Sequence, residues 1–555
     1  MTRHSRPATT ILLSLLAQSV DAAVIQVPAD QPTIASAMLA AAPGDEIVVA
    51  PGVYSHGAQP LISSGFSGGV DLVIRSSDGP GVTVLDGLGT ARLVELYSKE
   101  STSFVIEGFT MRNGAFPTNW GGAMLLWNAS PTVRNCVFEL NIADYGGAVA
   151  NYEGGNGVFE SCEFRNNTGV IGGAVASLNS FPRFVDCVFE DNLADDPTIY
   201  NEGGGAWDGG GVGRYERCVF RNNTAQTGGG VFGKGATTGI ELIDCILEGN
   251  TTTTSTGAGV AAVGGTVVHA VNTRFLGNVS QTWGAGAFVQ QSPGSSFVNC
   301  EFSGNRCTTR NGAGVYASHD SIIEVRNSTF ANNAASSTVG GGFSAVVNCT
   351  VTIANSLFWG NTGASSSPAP TMDENDQIHV TTPLSFTIDH SIVQNLATLA
   401  GTSLTDEDPL FSDARGPDGI AGTIDDDLRL SSASPAIDAG DNLMVGADAF
   451  DLDADTDLVE SIPFDISGED RLIDDLATTD TGSGAAPIVD LGAHETPSGA
   501  IPCPSDMSGD GLTDGADLGL LLGSWGAPGA SDLNGDGVTD GSDLGLLLGA
   551  WGACP

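Results

Sequence analysis

Residues 136–148 read Cys-Val-Phe-Glu-Leu-Asn-Ile-Ala-Asp-Tyr-Gly-Gly-Ala, and residues 162–174 repeat the pattern as Cys-Glu-Phe-Arg-Asn-Asn-Thr-Gly-Val-Ile-Gly-Gly-Ala. Three landmarks recur: a Cys, Ser or Thr two residues before a large apolar residue, an asparagine three residues after it, and then a glycine-rich step. Successive copies are 25 to 31 residues apart, which indicates a solenoid of stacked repeats. The nine asparagines are Asn141, Asn167, Asn192, Asn223, Asn250, Asn278, Asn305, Asn333 and Asn361.

Each copy is typical of short strands joined by tight turns. Residues two apart lie on one face of a strand, so the Cys/Ser/Thr position and the Phe position point the same way. The residue between them varies among Val, Glu, Ile, Arg, Thr and Leu, as a solvent-facing position does. Stacking such coils in parallel, about 4.8 Å apart, predicts ladders of phenylalanine, cysteine and asparagine. Asparagine suits a repeated corner because it tolerates left-handed backbone and can hydrogen-bond the neighbouring coil.

The stretches before the repeats fit the same architecture. Val24-Ile25-Gln26-Val27-Pro28 and the run from Val48 to Tyr54 look like an amino-terminal cap and a first coil. Together with the repeats they resemble the right-handed parallel β-helix of the pectin-lyase-like superfamily. The resemblance implies an all-β solenoid over residues 23–400. It implies no particular activity, because that superfamily includes lyases, hydrolases, esterases and non-catalytic surface proteins.

Six cysteines occupy one position of the repeat, and Thr273, Ser328 and Ser356 replace cysteine there. Stacked parallel side chains that tolerate Thr and Ser are expected to be buried thiols rather than disulfides. Cys307 and Cys349 fall outside this ladder. The six ladder cysteines are Cys136, Cys162, Cys187, Cys218, Cys245 and Cys300.

The composition narrows the range of partners. The 555 residues include 20 Lys+Arg and 65 Asp+Glu, which gives a formal net charge of -45. This excess of acid argues against nucleic acid or an anionic membrane surface as a partner, since both are bound through basic side chains. The 76 glycines fit a turn-rich β protein, and a hydrophobic content of 41% argues against a disordered chain.

The first 22 residues have the features of a secretory signal peptide. Arg3 and Arg6 precede an apolar run from Ile11 to Leu16, and small residues follow at Ala22 and Ala23. No other apolar run approaches the roughly 20 residues that a membrane-spanning helix needs. We therefore expect a secreted or cell-surface protein without a transmembrane span.

Two acidic segments near the C-terminus match each other. Residues 506–517 read Asp-Met-Ser-Gly-Asp-Gly-Leu-Thr-Asp-Gly-Ala-Asp, and residues 532–543 read Asp-Leu-Asn-Gly-Asp-Gly-Val-Thr-Asp-Gly-Ser-Asp. Oxygen-bearing side chains stand at loop positions 1, 3, 5, 9 and 12, with glycine at position 6. This is the pattern of an EF-hand-type loop, which predicts Ca²⁺ binding.

This duplicated unit, residues 501–555, resembles a type I dockerin, a small α-helical calcium-dependent adaptor that docks onto cohesin domains. The resemblance implies a cohesin-like or other surface-anchoring partner. In that family the two residues before the last ligand commonly carry hydroxyl groups and recognise the partner. This chain departs from that pattern, with Gly515-Ala516 and Gly541-Ser542 at these positions. The Ca²⁺ ligands that the resemblance implies are Asp506, Ser508, Asp510, Leu512 (carbonyl), Asp514 and Asp517, and then Asp532, Asn534, Asp536, Val538 (carbonyl), Asp540 and Asp543.

Cys503 and Cys554 flank the dockerin-like unit. The two ends of the chain meet in such a two-fold module, and export permits disulfides, so we expect these cysteines to be paired. Two unpaired thiols are the alternative. The pairing would stabilise the module by roughly 4 kcal/mol in the chain-entropy model.

Residues 401–500 form an acidic bridge that we expect to close the solenoid and link it to the C-terminal unit. Its acidic runs are Asp425-Asp426-Asp427 and the alternating Asp451, Asp453, Asp455 and Asp457. They are either further Ca²⁺ ligands or solvated acidic turns, and the second interpretation is the commoner one for such runs.

One coil is longer than the others and carries the best candidates for a catalytic site. Long insertions on a solenoid often mark a binding face. The first functional hypothesis is a surface protein that binds polysaccharide or displays a wall toward it. The alternative is a polysaccharide lyase or glycoside hydrolase, although no catalytic motif of the superfamily is present. The weak catalytic candidates are Asp195, Asp196, Glu202, Asp208 and Arg214.

Overall fold

The chain winds through successive coils of parallel strands in this computed structural model. It describes residues 22–55, 60–97, 99–196, 200–337, 339–363 and 373–496, and near the C-terminus 505, 507, 512–526, 531, 533–534 and 537–553. The predicted signal peptide lies outside the described residues, apart from residue 22. Cys503 and Cys554 lie outside them as well, and so does their predicted disulfide.

The first face of the coils is a sheet of fourteen strands, the phenylalanine sheet, which carries the repeated Cys-x-Phe motif. Each strand pairs in parallel with the strand one coil away, as when Phe138 is aligned with Phe164. The strands are Gly52–Ser55, Thr83–Asp86, Thr110–Arg112, Val137–Glu139, Glu163–Arg165, Val188–Glu190, Val219–Arg221, Ile246–Glu248, Arg274–Leu276, Glu301–Ser303, Thr329–Ala331, Leu357–Trp359, Ser391–Val393 and Leu404–Thr405.

The second face is a sheet of nine strands, the short-strand sheet, which follows the repeated asparagine. It ends at the glycine-rich step, where coils approach closely: a Cβ on Gly147 would lie 2.2 Å from the carbonyl oxygen of Gly173. The strands are Ala115–Trp120, Ile142–Tyr145, Thr168–Gly169, Leu193–Ala194, Thr224–Ala225, Thr251–Thr252, Val279–Ser280, Arg306–Cys307 and Ala334–Ala335.

Among the described residues, the other strands of the coils form one sheet of 25 strands with two arms, which the long strand Ala206–Glu216 joins by running through both. The first arm also contains Ile62–Ser63, Val94–Leu96, Met124–Trp127, Val149–Tyr152, Val175–Ser180, Val231–Lys234, Val260–Val263, Ala287–Gln290, Val315–Ser318, Phe343–Val346 and Ile378–Thr381. The second arm contains Val24–Val27, Glu46–Val49, Val73–Ser76, Val105–Glu107, Thr132–Arg134, Val158–Glu160, Arg183–Val185, Thr238–Ile243, Val267–Val271, Ser295–Val298, Ile322–Arg326, Thr350–Ala354 and Ser385–Asp389.

The predicted ladders are confirmed in the interior. The Phe138 and Phe164 rings stack with centroids 4.9 Å apart, and Phe189 and Phe220 stack at 4.4 Å. The eight described cysteines, which include Cys307 and Cys349, are buried free thiols. A second aromatic ladder, which the repeat pattern did not predict, runs from Phe159 through Phe184 to Tyr215.

The asparagine ladder is a continuous hydrogen-bond chain. Asn250 donates from its backbone N–H and its Nδ2 to Asn278 Oδ1, both at 3.0 Å, and Nδ2 also donates to the Phe220 carbonyl at 2.9 Å. The chain ends where Asn361 donates to Gln377 Oε1 at 2.8 Å. The prediction was inexact about the corner itself, because left-handed backbone occurs at the residue before each ladder asparagine, as at Asn166 and Asn222.

A short helix, Ile34–Ala40, covers the amino-terminal end of the core. Thr33 caps it, with Ser36 N–H donating to Thr33 Oγ1 at 3.1 Å. Its apolar face buries Ile34 and Met38 against the first coils. Two further single-turn helices are Ser64–Ser67 and Glu374–Gln377.

Residues 409–495 of the acidic bridge pack along the outside of the β-helix. We call this stretch the lateral acidic segment. Asn299 Nδ2 donates to the Phe464 carbonyl at 2.8 Å, and Arg326 Nη1 donates to the Met444 carbonyl at 2.7 Å. The segment contains the antiparallel strands Phe411–Asp413 and Asp427–Leu430 and the 3₁₀ turn Asn442–Met444.

The C-terminal region contains two matching helices, Gly515–Gly523 and Gly541–Gly549. The strand Leu512–Thr513 before the first helix pairs with Gly552–Ala553 after the second, so the two ends of this region meet. Among the helices that the structure describes, none has the length and apolar character needed to cross a membrane.

Candidate functional site

Asp208, one of the predicted catalytic candidates, lies inside the β-helix. It is 2% exposed, and the Tyr215 hydroxyl donates to its Oδ2 at 2.9 Å. A Cβ on Gly213 would lie 2.3 Å from that oxygen, so glycine makes room for the carboxyl group. Burial raises the pKa of Asp208 to about 7, against the opposing hydrogen bonds of Tyr215 and Ser177. An internal group of this kind has no contact with an external polysaccharide.

Arg214 lies on the outer surface of the second arm. Its Nε is 2.5 Å from Glu216 Oε1, and its Nη1 is 3.4 Å from Glu241 Oε2. Arg183 pairs with the same Glu216 at 2.6 Å. Arg214 therefore belongs to a surface ladder of ion pairs, and the structure does not bring it together with the other candidates.

The remaining candidates lie at the corner between the short-strand sheet and the first arm. Glu202 accepts hydrogen bonds from Trp207 Nε1 at 3.0 Å and from Lys234 Nζ at 2.9 Å. Asp195 is exposed, and Asp196 is half-buried. Burial, and then the charge of Asp196, raise the pKa of Asp144, a neighbour that the sequence analysis missed.

The same corner carries a group of exposed and half-buried aromatic rings, which we call the aromatic ledge. Trp120 stacks on Tyr145 with centroids 4.3 Å apart and contacts Tyr152 at 4.7 Å. Trp127 meets Tyr152 edge-on at 5.7 Å. Tyr97, Trp127 and Tyr152 follow one another in successive coils of the first arm. The ledge thus runs along the axis of the β-helix.

Strand alternation explains why these rings face outward. In Met124–Trp127, Met124 and Leu126 are buried, whereas Trp127 is 52% exposed. Arg92 holds the Trp120 turn in place, donating to the Trp120 carbonyl at 2.5 Å and to the Gly121 carbonyl at 2.9 Å. The period-2 pattern that located the buried ladders would also have located this outward aromatic column.

A cavity of about 540 Å³ opens beside the ledge. Tyr97 and Trp127 form its aromatic side, and Leu125, Glu95 and Asn128 complete its lining. A shallow surface with aromatic faces and a few polar groups can hold a ligand that is itself apolar on its faces and polar at its edges.

The C-terminal loops are described only in part. Asp506, Ser508, Asp510, Asp532 and Asp536 lie outside the described residues. Asp514 and Asp540 cap the two helices, and Ala516 N–H donates to Asp514 Oδ1 at 2.7 Å.

The position-12 residues Asp517 and Asp543 are fully buried, and Asn534 N–H donates to Asp543 Oδ1 at 3.0 Å. The Asp540 backbone lowers the pKa of Asp543. Ca²⁺ binding by these loops stays a prediction from their spacing. The carbonyls proposed as ligands belong to Leu512 and Val538.

The acidic runs of the bridge form hydrogen-bonded turns. Asp451, Asp453 and Asp455 have carboxylate oxygens within 4.8 Å of one another. Asp453 accepts from Asp455 N–H at 3.2 Å, which is typical of a solvated acidic turn. In the other run, Asp427 pairs with Arg429 at 2.7 Å.

Comparison with known families identifies the solenoid. A family model described as the right-handed beta helix region matches residues 74–238 and 206–381, which together span more than half of the chain. The chain belongs to this right-handed β-helix family. No curated protein matches it.

Several solved structures are similar to this β-helix protein. Pectate lyase Pel9A is 12% identical with a TM-score of 0.30, over 83% of this chain and 90% of that one. The A-module of mannuronan C-5 epimerase AlgE4 from Azotobacter vinelandii is 12% identical with a TM-score of 0.32, over 65% and 87%. The PL6 family polysaccharide lyase Pedsa3628 from Pseudopedobacter saltans is 12% identical with a TM-score of 0.27, over 69% and 91%.

Proposed function

We propose that this β-helix protein is a secreted or cell-surface protein that binds polysaccharide on the aromatic ledge. The observation that carries the proposal is a set of neighbouring rings on the stacked coils, in which Tyr97 and Trp127 are exposed and Tyr152, Trp120 and Tyr145 are half-buried. Rings held by strands lose little freedom when a ligand binds, which lowers the entropic cost of binding.

The chemistry of a sugar ring fits such a surface. Its C–H bonds pack against the electron-rich face of an aromatic ring, while its hydroxyl groups reach polar groups at the rim. Glu95 and Asn128 supply those polar groups beside Tyr97 and Trp127. Because the acidic residues Asp195 and Asp196 lie at the same corner as the ledge, we expect it to prefer neutral chains over polyuronides.

The test is affinity electrophoresis of the full secreted chain against a panel of neutral and anionic polysaccharides. Trp127→Ala and Trp120→Ala should each weaken binding at least about tenfold, the size of a typical aromatic hot spot. Trp551→Ala is a matched control, since Trp551 in the C-terminal region is 50% exposed. Equal binding by Trp127→Ala, Trp120→Ala and the unsubstituted chain would contradict the proposal.

Polysaccharide cleavage at the same corner is the second candidate function. Burial, and then the charge of Asp196, raise the pKa of Asp144, which is the direction of shift that a general acid needs. If cleavage occurs there, Asp144→Asn should abolish the appearance of new reducing ends, whereas Asp186→Asn on the phenylalanine sheet side should not. Cleavage that survives Asp144→Asn would rule out this role for Asp144.

For the C-terminal region we propose a Ca²⁺-dependent, dockerin-like module that anchors the protein through a cohesin-like or other surface partner. The duplicated loop pattern and the two matching capped helices support it. Calorimetry on the full chain should show that Asp506→Ala combined with Asp532→Ala removes two Ca²⁺ sites. Unchanged stoichiometry would refute the assignment.

A further inference from the structure

Asp438 is a buried carboxylate of the lateral acidic segment that the Asp475 backbone approaches but that no described Lys or Arg reaches within ion-pair distance. Its side chain is fully buried, and neither Oδ1 nor Oδ2 has a hydrogen-bond partner of good geometry among the described residues. A buried carboxylate is normally paired, hydrogen-bonded or bound to a metal, because removing it from water is costly. Asp438 therefore requires an explanation.

The backbone of Asp438 is firmly held. Its N–H donates to Asp490 Oδ1 at 2.7 Å, and its carbonyl accepts from Thr481 N–H at 2.9 Å and Gly482 N–H at 3.0 Å. These contacts attach the Asp438 backbone to residues 481–490, a stretch far away in sequence, and they do not involve its side-chain oxygens.

The Asp438 side chain points at two other carboxylates. One oxygen from each of Asp438, Asp474 and Asp480 lies within 4.8 Å of the other two. Three like charges at this distance repel one another, most strongly where one of them is buried. The arginines that pair within the segment are engaged elsewhere, Arg429 with Asp427 and Arg471 with Glu495.

We propose that Asp438, Asp474 and Asp480 bind one Ca²⁺. Oxygen-only ligands select a hard cation, and two oxygens on opposite sides of Ca²⁺, each 2.3–2.6 Å from it, are about 5 Å apart. The spacing of this triad thus suits a single calcium ion. Asp438 is the buried anchor of the site, and Asp474 and Asp480 approach from the more exposed loop.

The proposed site would have a different role from the C-terminal loops, because it lies within the lateral acidic segment. It joins the stretch around Asp438, which packs on the β-helix, to the loop that carries Asp474 and Asp480. Binding of Ca²⁺ here would make the closure of the lateral acidic segment depend on the calcium of the surroundings, because a ligand that binds the closed form stabilises it.

Hydrogen exchange measured by mass spectrometry on the full chain tests this locally. At free Ca²⁺ about ten times the dissociation constant, amides in residues 436–442 and 474–482 should exchange about tenfold more slowly than in chelator. Asp438→Asn should abolish the protection, and asparagine suits the left-handed φ of 51° at this position. Asp480→Asn, which changes an exposed residue, should weaken it and guards against misfolding of the first variant.

Two controls separate this site from other effects. Asp406→Asn removes one exposed charge outside the triad and should retain full protection. Asp506→Ala combined with Asp532→Ala removes the proposed C-terminal sites and should also retain it. Two results would overturn the proposal: exchange that does not respond to Ca²⁺ in the unsubstituted chain, or Ca²⁺-dependent protection in both Asp438→Asn and Asp480→Asn that equals that of the unsubstituted chain.

Discussion

Asn355 and Asp441 exchange two hydrogen bonds across the boundary between the β-helix and the lateral acidic segment. Asn355 Nδ2 donates to the Asp441 carbonyl at 3.0 Å, and Asp441 N–H donates to Asn355 Oδ1 at 2.8 Å. Asn355 occupies the left-handed turn before the Ser356 rung, and Asn299 holds the Phe464 carbonyl from the same position two coils earlier. This position of the repeat therefore has two roles. Its backbone forms the turn of the coil, and its side chain holds the lateral acidic segment.

Asn355→Gly should loosen the lateral acidic segment without disturbing the coil. Glycine keeps the left-handed backbone accessible but removes both hydrogen bonds, so the opening free energy of residues 438–444 should fall by about 2 kcal/mol. Local hydrogen exchange measures this. Asn166→Gly is the matched control, because Asn166 has a φ of 53° at an exposed corner. If both variants lower the opening free energy of residues 438–444 by a similar amount, the effect comes from the glycine in the turn and not from the lost hydrogen bonds to Asp441.

The fold was largely predictable from the sequence because each coil of a solenoid repeats the same pattern of residues. The period-2 positions of Cys136 and Phe138, repeated nine times, specify a buried face and its register. The lateral acidic segment was not predictable in this way, since its partners in the coils lie more than 80 positions away in sequence, as Asn355 lies from Asp441. A contact that occurs only once, between residues far apart in sequence, produces no repeating pattern that the sequence could show.

Asn250→Ala should be strongly destabilising. It removes the oxygen that accepts from both the backbone N–H and Nδ2 of Asn223, and the Nδ2 that donates to the Phe220 carbonyl, and it leaves these three buried groups unpaired. At 1–3 kcal/mol for each unpaired group, a loss of about 3 kcal/mol or more is expected. Urea denaturation followed by circular dichroism measures it. Asn222→Gly, at the adjacent exposed corner, should cost less than about 1 kcal/mol; a cost equal to that of Asn250→Ala would contradict the role of the ladder.

The candidate site was predicted less well than the fold. Asp208 and Glu202 are close in sequence, but strand alternation turns Asp208 into the core, while Glu202 stays at the corner with Trp207. The prediction of catalytic candidates on the long coil relied on charged side chains alone. The aromatic ledge depends instead on which side of a strand each ring occupies, as Trp127 and its buried neighbour Leu126 show.

Asp208 should make stability fall as the pH rises. Its pKa in the folded chain is about 7, above the usual value of 3.8 for an aspartate, so folding favours the protonated form. Stability is therefore fully present below about pH 4 and is lost as the pH rises toward 7, by roughly 4 kcal/mol at most. Asp208→Asn should match the unsubstituted chain near pH 4 and exceed its stability at pH 8. Denaturation at both pH values checks this, with exposed Asp457→Asn as the control; parallel pH profiles for the two variants would refute it.

Arg471 and Glu495 form an ion pair inside the lateral acidic segment, where both side chains are fully buried and Nε lies 3.3 Å from Oε1. Arg471 Nη2 also donates to the Gly492 carbonyl at 2.7 Å. Arg471→Met should cost about 3–5 kcal/mol, because it leaves the buried Glu495 carboxyl group without the cation that offsets its burial. Adding Glu495→Gln removes that unpaired charge, so the double variant should be more stable than Arg471→Met alone. Chemical denaturation of the single and double variants completes the cycle. If the double variant is less stable than Arg471→Met by the full cost of Glu495→Gln alone, the two side chains are not coupled, and the pair does not hold the segment together.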